Sequence, residues 1–132
     1  MDHAEAAIRA FAAPDRAARY LALLGSKKGR TKLRADLAHA FYLDPRYAIR
    51  VPGAEATPSA IAAKLRSFGA PESCHCLSED AQLDGRELPL EQALAATVGR
   101  GMGTLISCVA GALAYYEAED ANERYVLRRA AA

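Results

Sequence analysis

Through the first half of the chain, apolar residues recur at helical spacing between recognisable start and stop signals. Asp2 and Glu5 stand three apart like a capping box, with Ile8 and Phe11 following on one face, which predicts a first helix. Pro14 interrupts it, and Asp15 is placed to cap a second helix that turns Tyr20, Leu21 and Leu24 inward. Gly25 suits the position just past that helix, and Ser26 the cap of a third. The third is expected to reach about Phe41, with Leu33, Leu37, Ala40 and Phe41 inside roughly one hundred degrees of arc. "LDPRYAIRVPG" (43–53) reads as irregular, because Pro45 and Pro52 both disfavour helix. In "TPSAIAAKLRSFG" (57–69), Thr57 caps, Pro58 opens, Ile61, Leu65 and Phe68 face inward, and Gly69 closes a fourth helix.

Beyond Pro71 the pattern changes. Strands are expected at 73–78, 104–109, 112–118 and 124–128, with a short helix over 89–99. Ala110-Gly111 reads as a tight hairpin link. Strand, helix and strand from 73 to 109 have the length of a right-handed parallel crossover. The expected fold is therefore α+β: a helical N-terminal part of about four helices packed on a small mixed β-sheet. That sheet would contain a βαβ unit followed by a β-hairpin, with helices on at least one face. A chain of 132 residues fits a single domain, helical over 1–69 and α/β over 70–132. It can bury roughly two-thirds of its unfolded surface without disulfides or metal.

Charge adds a feature that periodicity does not show. "KKGRTKLR" (27–34) puts five cations into eight residues of a chain of net charge +1. Residues 1–68 hold twelve Lys and Arg against six Asp and Glu, whereas 69–132 hold five against ten. Either the two halves attract each other across a seam, or the basic one faces an anionic partner. On the third helix Lys27 and Arg34 lie close together, Arg30 borders the apolar stripe, and Gly29 weakens the first turn. A content of 52% hydrophobic and 25% charged residues suits a soluble globular protein. No apolar run reaches membrane-spanning length and no signal-peptide pattern opens the chain. Three cysteines without framework spacing point to a reducing compartment, so the expected location is cytoplasmic. Thirteen Arg against four Lys, with abundant Ala, hint at a GC-rich bacterial genome.

Candidate chemistry collects where the topology would bring loops together. A parallel crossover would gather Ser78, Glu79, Asp80, the turn "DGRE" (84–87), Ser107 and Cys108 at the strand carboxyl ends, where ligand sites concentrate. The opposite end would hold 99–103, Glu117, Glu119, Asp120, Glu123 and Arg124. Glu79, Asp80 and Asp84, with Cys108 as a possible nucleophile, are the catalytic candidates for a small hydrolase or metal-dependent enzyme. Their spacing matches no ligand motif, and "LDGREL" reads more economically as a turn. Cys74 and Cys76 share one face of a strand with His75 on the other, which suits core packing better than zinc. "GRGMGT" (99–104) follows a helix and precedes a strand, the reverse of a phosphate loop, so its glycines read as a helix stop and a close turn. Of Tyr115 and Tyr116, one is expected in the core and the other in solvent.

No complete catalytic constellation is visible, and no cofactor or metal is called for. The reading favoured is a binding or regulatory protein whose Lys27, Lys28, Arg30, Lys32 and Arg34 engage an anionic partner, either nucleic acid or an acidic protein surface. The alternatives are the strand-end enzyme and self-association of basic half on acidic half.

Overall fold

The computed structural model describes residues 2–39, 41–120 and 122–130. Three helices open the chain: α1 (His3–Phe11), α2 (Pro14–Leu24) and α3 (Lys27–His39). Asp2 caps α1 by accepting from the amides of Ala4 and Glu5. Asp15 does not cap α2: Pro14 occupies its first position, so Asp15 lies inside the first turn and Ala13 precedes it. Ser26 Oγ accepts from Gly29 N at 3.0 Å and starts α3. That helix stops at His39, short of the expected Phe41; Ala40 lies outside the described residues. Phe41 stays in the core, its ring 4.8 Å from that of Tyr20.

An edge strand β1 (Ala48–Arg50) follows, then α4 (Pro58–Ser67), capped by Thr57 as its sequence requires. The second half supplies β2 (Ser73–Ser78), β3 (Glu87–Pro89), α5 (Leu90–Thr97), β4 (Thr104–Val109), β5 (Leu113–Glu117) and β6 (Arg124–Arg128). The six strands form one sheet in the order β1-β6-β5-β4-β2-β3, every neighbouring pair antiparallel.

The fold is α+β, but the expected mixed sheet with a parallel crossover gives way to an antiparallel one. The cause is β3, whose Glu87 and Leu88 belong to the stretch read as a turn and whose Pro89 is expected from sequence to open the helix. It pairs Glu87–Pro89 back along β2, so the chain has already returned to the start of β2 when α5 begins. Helix α5 then climbs to the far end, and β4 descends with Thr104 opposite Ser78. The β4–β5 hairpin forms as expected, with Gly111 at φ 71° in its link, and β6 pairs antiparallel to β5.

Helices cover both faces. One core joins Ile8, Phe11, Tyr20, Leu33 and Leu37 of α1–α3 to Leu77, Leu105, Tyr116 and Leu127 of the sheet. The other joins Ile61 and Leu65 of α4 and Leu90 and Leu94 of α5 to Cys74, Cys76, Ile106, Cys108, Tyr115 and Val126. Each fully buried Leu, Ile or Phe contributes about 2 kcal/mol by leaving water. Because neither face is open, both Tyr115 and Tyr116 are buried, contrary to the expected split. Among the described residues no helix is long and apolar enough to cross a membrane.

Candidate functional site

Antiparallel pairing redistributes the candidates. Ser78, Glu79, Asp80 and Asp84 now share one end of the sheet with Gly99–Gly103, Glu117, Glu119 and Asp120, while Ser107 and Cys108 lie toward the other. Helix α3 runs across the first of these ends. Gly103 makes that approach possible: a Cβ there would stand 2.2 Å from the Leu37 carbonyl carbon. Further along, the Tyr116 hydroxyl donates to Leu37 O, and Glu119 N donates to Ala38 O at 2.8 Å.

Asp84 is the hub where the basic helix meets the acidic half. Arg30 donates to both its oxygens at 3.2 Å, Arg34 Nε lies 3.5 Å from Oδ2, and Ser78 N donates to Oδ1 at 3.0 Å. Arg34 also donates to Ser78 O and Glu79 O. With its side chain only 12% exposed, Asp84 is held in place by two guanidiniums and an amide. The remaining members of the motif differ. Lys27, Lys28 and Lys32 are exposed, and their ammonium groups make no ion pair among the described residues. Gly29, besides weakening the first turn, admits the end of α2: a Cβ there would stand 2.3 Å from Leu23 O.

The other acidic candidates hold backbone. Glu79 Oε1 accepts from Gly103 N at 3.3 Å, and Asp80 Oδ1 from Gln82 N at 2.9 Å. Among the described residues no group of three or more His, Cys, Asp or Glu side chains is placed to hold a metal ion. Cys108 is separated from these acids and lies within the α4–α5 core. Burial pushes its thiol up to about 12, far from a reactive thiolate. All three cysteines are free and buried.

Sequence reasoning missed a groove of about 780 Å³ between the end of α3, the segment 41–48 and the β5–β6 turn. Its walls are aromatic and its rim acidic. Phe41, Tyr42, Tyr116 and Tyr125 supply rings, and Glu119, Asp120 and Glu123 supply carboxylates. Tyr42 is half exposed, and Arg16 already sits over its ring at 4.2 Å. Glu123 accepts from the Tyr125 hydroxyl at 2.6 Å and faces Arg50 at 3.7 Å. Burial first, then that hydrogen bond, raises the Tyr125 pKa, so its phenol stays protonated as a donor. Among the described residues, the ionic neighbour of Glu119 is the exposed His39, at 3.7 Å. Asp120 Oδ1 accepts from Asn122 N at 2.8 Å.

No family model, curated protein or solved structure matches this chain. The groove therefore has to be read from its own chemistry. Its size lies within the roughly 300–1,000 Å³ of small-molecule sites. Rings with electron-rich faces beside three carboxylates form a surroundings suited to a cation carrying an apolar body. The acidic turn "EAEDANE" (117–123) was visible in the sequence. What it faces was not, because Phe41 and Tyr42 lie some eighty residues earlier.

Proposed function

We propose that this protein binds a cationic, partly apolar ligand, such as an organic amine or the side chain of a basic peptide, in the groove beside Glu119, Asp120 and Glu123. The observation that carries this reading is the meeting of four aromatic rings and three carboxylates around one cavity of about 780 Å³. The donors of a guanidinium or ammonium would reach Glu119 and Asp120 while the aliphatic stem lies against Phe41, since Arg16 and Arg50 already stand over the Tyr42 and Tyr125 rings. Titration calorimetry with arginine amide, against citrulline amide as the neutral isostere, tests it. Arginine amide should bind and weaken with salt, and Glu119→Gln should weaken it about tenfold. Equal affinity for the two amides, or no heat from either, rejects the reading.

A second reading rests on the three unpaired lysines. Lys27, Lys28 and Lys32 are exposed on α3, while Arg30 and Arg34 fasten that helix to Asp84. An anionic partner, nucleic acid above all, would meet these lysines through phosphates. With three charges engaged, duplex DNA binding should fall with a log–log salt slope of about −3. A fluorescence-anisotropy titration at two ionic strengths measures that slope, and binding indifferent to salt would remove this reading.

A further inference from the structure

On the α1 side of the sheet, toward the end away from the acidic turn, a second cavity of about 210 Å³ shares no lining residue with the groove. His3, at the start of α1, and Ser107, on β4, both line it. The His3 Nδ1 to Ser107 Oγ distance is 2.7 Å. The His3 ring is stacked on His75 of β2, with centroids 3.8 Å apart and planes 16° from parallel. Behind it, His75 Nε2 lies 3.5 Å from a Glu87 oxygen. The guanidinium-bearing Arg30 stands on the cavity wall.

We infer that Ser107 and His3 form a nucleophile–base pair for acyl transfer from a small ester, with His75 as the residue that positions the base. An activated serine needs a base within hydrogen-bond reach and a third group that fixes the base. Both relations are present here, with a stacked ring in place of the usual carboxylate. Among the described residues, the charged and titratable groups around His3 include Asp2 at its helix cap, His75 on β2, Glu87 on β3 and Arg30 on α3. Burial first, and the neighbouring His75 second, lower its pKa, which keeps the imidazole neutral and able to accept a proton. With Nδ1 as acceptor, the hydroxyl proton passes to His3 as Ser107 Oγ bonds to the ester carbonyl carbon. The carbon–oxygen bond to the alcohol then breaks, and the alcohol leaves with that proton. Water, deprotonated by His3, attacks the acyl-serine; Ser107 regains its proton and the acid departs. The cavity volume of about 210 Å³ favours a short acyl chain.

The test is labelling of the full chain with a short-chain alkyl fluorophosphonate, read by intact mass and peptide mapping, with circular dichroism to confirm that each variant folds. A single adduct on Ser107 is expected. Ser107→Ala should abolish it, and His3→Gln should slow it about 100-fold. The His75→Phe variant keeps a stacked ring but removes the second imidazole. It should move the pH midpoint of labelling up toward the ordinary histidine value of 6.5 while the thermal unfolding midpoint stays at the parent value, so that rehydration of His3 through loosened packing does not account for the shift. No adduct, an adduct elsewhere, or equal labelling of the His3→Gln variant would overturn the nucleophile–base pair. An unmoved midpoint in His75→Phe would overturn the role of His75.

Discussion

Glu117→Ala lowers the folding stability by about 3–5 kcal/mol, the range expected when one partner of a buried ion pair is removed. Glu117 is 1% exposed and its carboxylate is fully engaged. Oε1 accepts from the Tyr115 hydroxyl at 2.7 Å and from Arg124 Nε at 3.0 Å, and Oε2 accepts from Gly99 N at 2.9 Å. Truncation leaves a guanidinium only 13% exposed, a phenol and a turn amide without their acceptor, each with a desolvation cost. Replacing both charges, as in Glu117→Leu with Arg124→Met, should recover much of the loss because no charge is left unpaired. Urea unfolding of the three variants measures the difference. A loss under about 1 kcal/mol for Glu117→Ala would show that Arg124 finds water or another acceptor.

Gly103→Ala has the second-largest expected effect, about 3 kcal/mol from overpacking. The added methyl would stand 2.2 Å from Leu37 C and 2.3 Å from Ala38 N, both backbone atoms that no side-chain rotation can move aside. Helix α3 has to lift, which strains the Arg30 and Arg34 contacts with Asp84 and displaces a wall of the groove. Gly53→Ala is the matched control, since no atom lies within 4 Å of its added carbon. It should change stability by less than about 0.5 kcal/mol. Thermal unfolding of both variants, with arginine amide titration of Gly103→Ala, links the packing to the proposed site. Equal stability of the two variants would mean that α3 yields more easily than its contacts imply.

The parts of this fold that local chemistry decides were readable in advance. Thr57, Pro58 and Gly69 bound α4, and β2, β4 and β6 occupy the stretches whose composition marked them. What escaped was set by partners distant in sequence. Three residues of β3, split between a turn-like stretch and the expected helix start, reversed the direction of β4 and moved Ser107 and Cys108 away from Ser78. The strand β1, between Pro45 and Pro52, exists because β6 offers it an edge. Arg30 and Arg34 look like any solvated cations on a helical wheel; only folding brings Asp84, some fifty residues away, beneath them. The groove and the Ser107–His3 pair are likewise products of long-range pairing, for which no spacing rule exists.

The outer strands of the sheet, β1 and β3, have one further consequence. Each is three residues long; β3 ends in Pro89 and Pro52 lies just beyond β1, so neither border has many free amides in a row. A newcomer seeking to extend the ladder finds almost no template there, which discourages fibril growth by strand addition. Two copies of this chain would have to recognise each other through side chains, where salt and pH can tune the attachment.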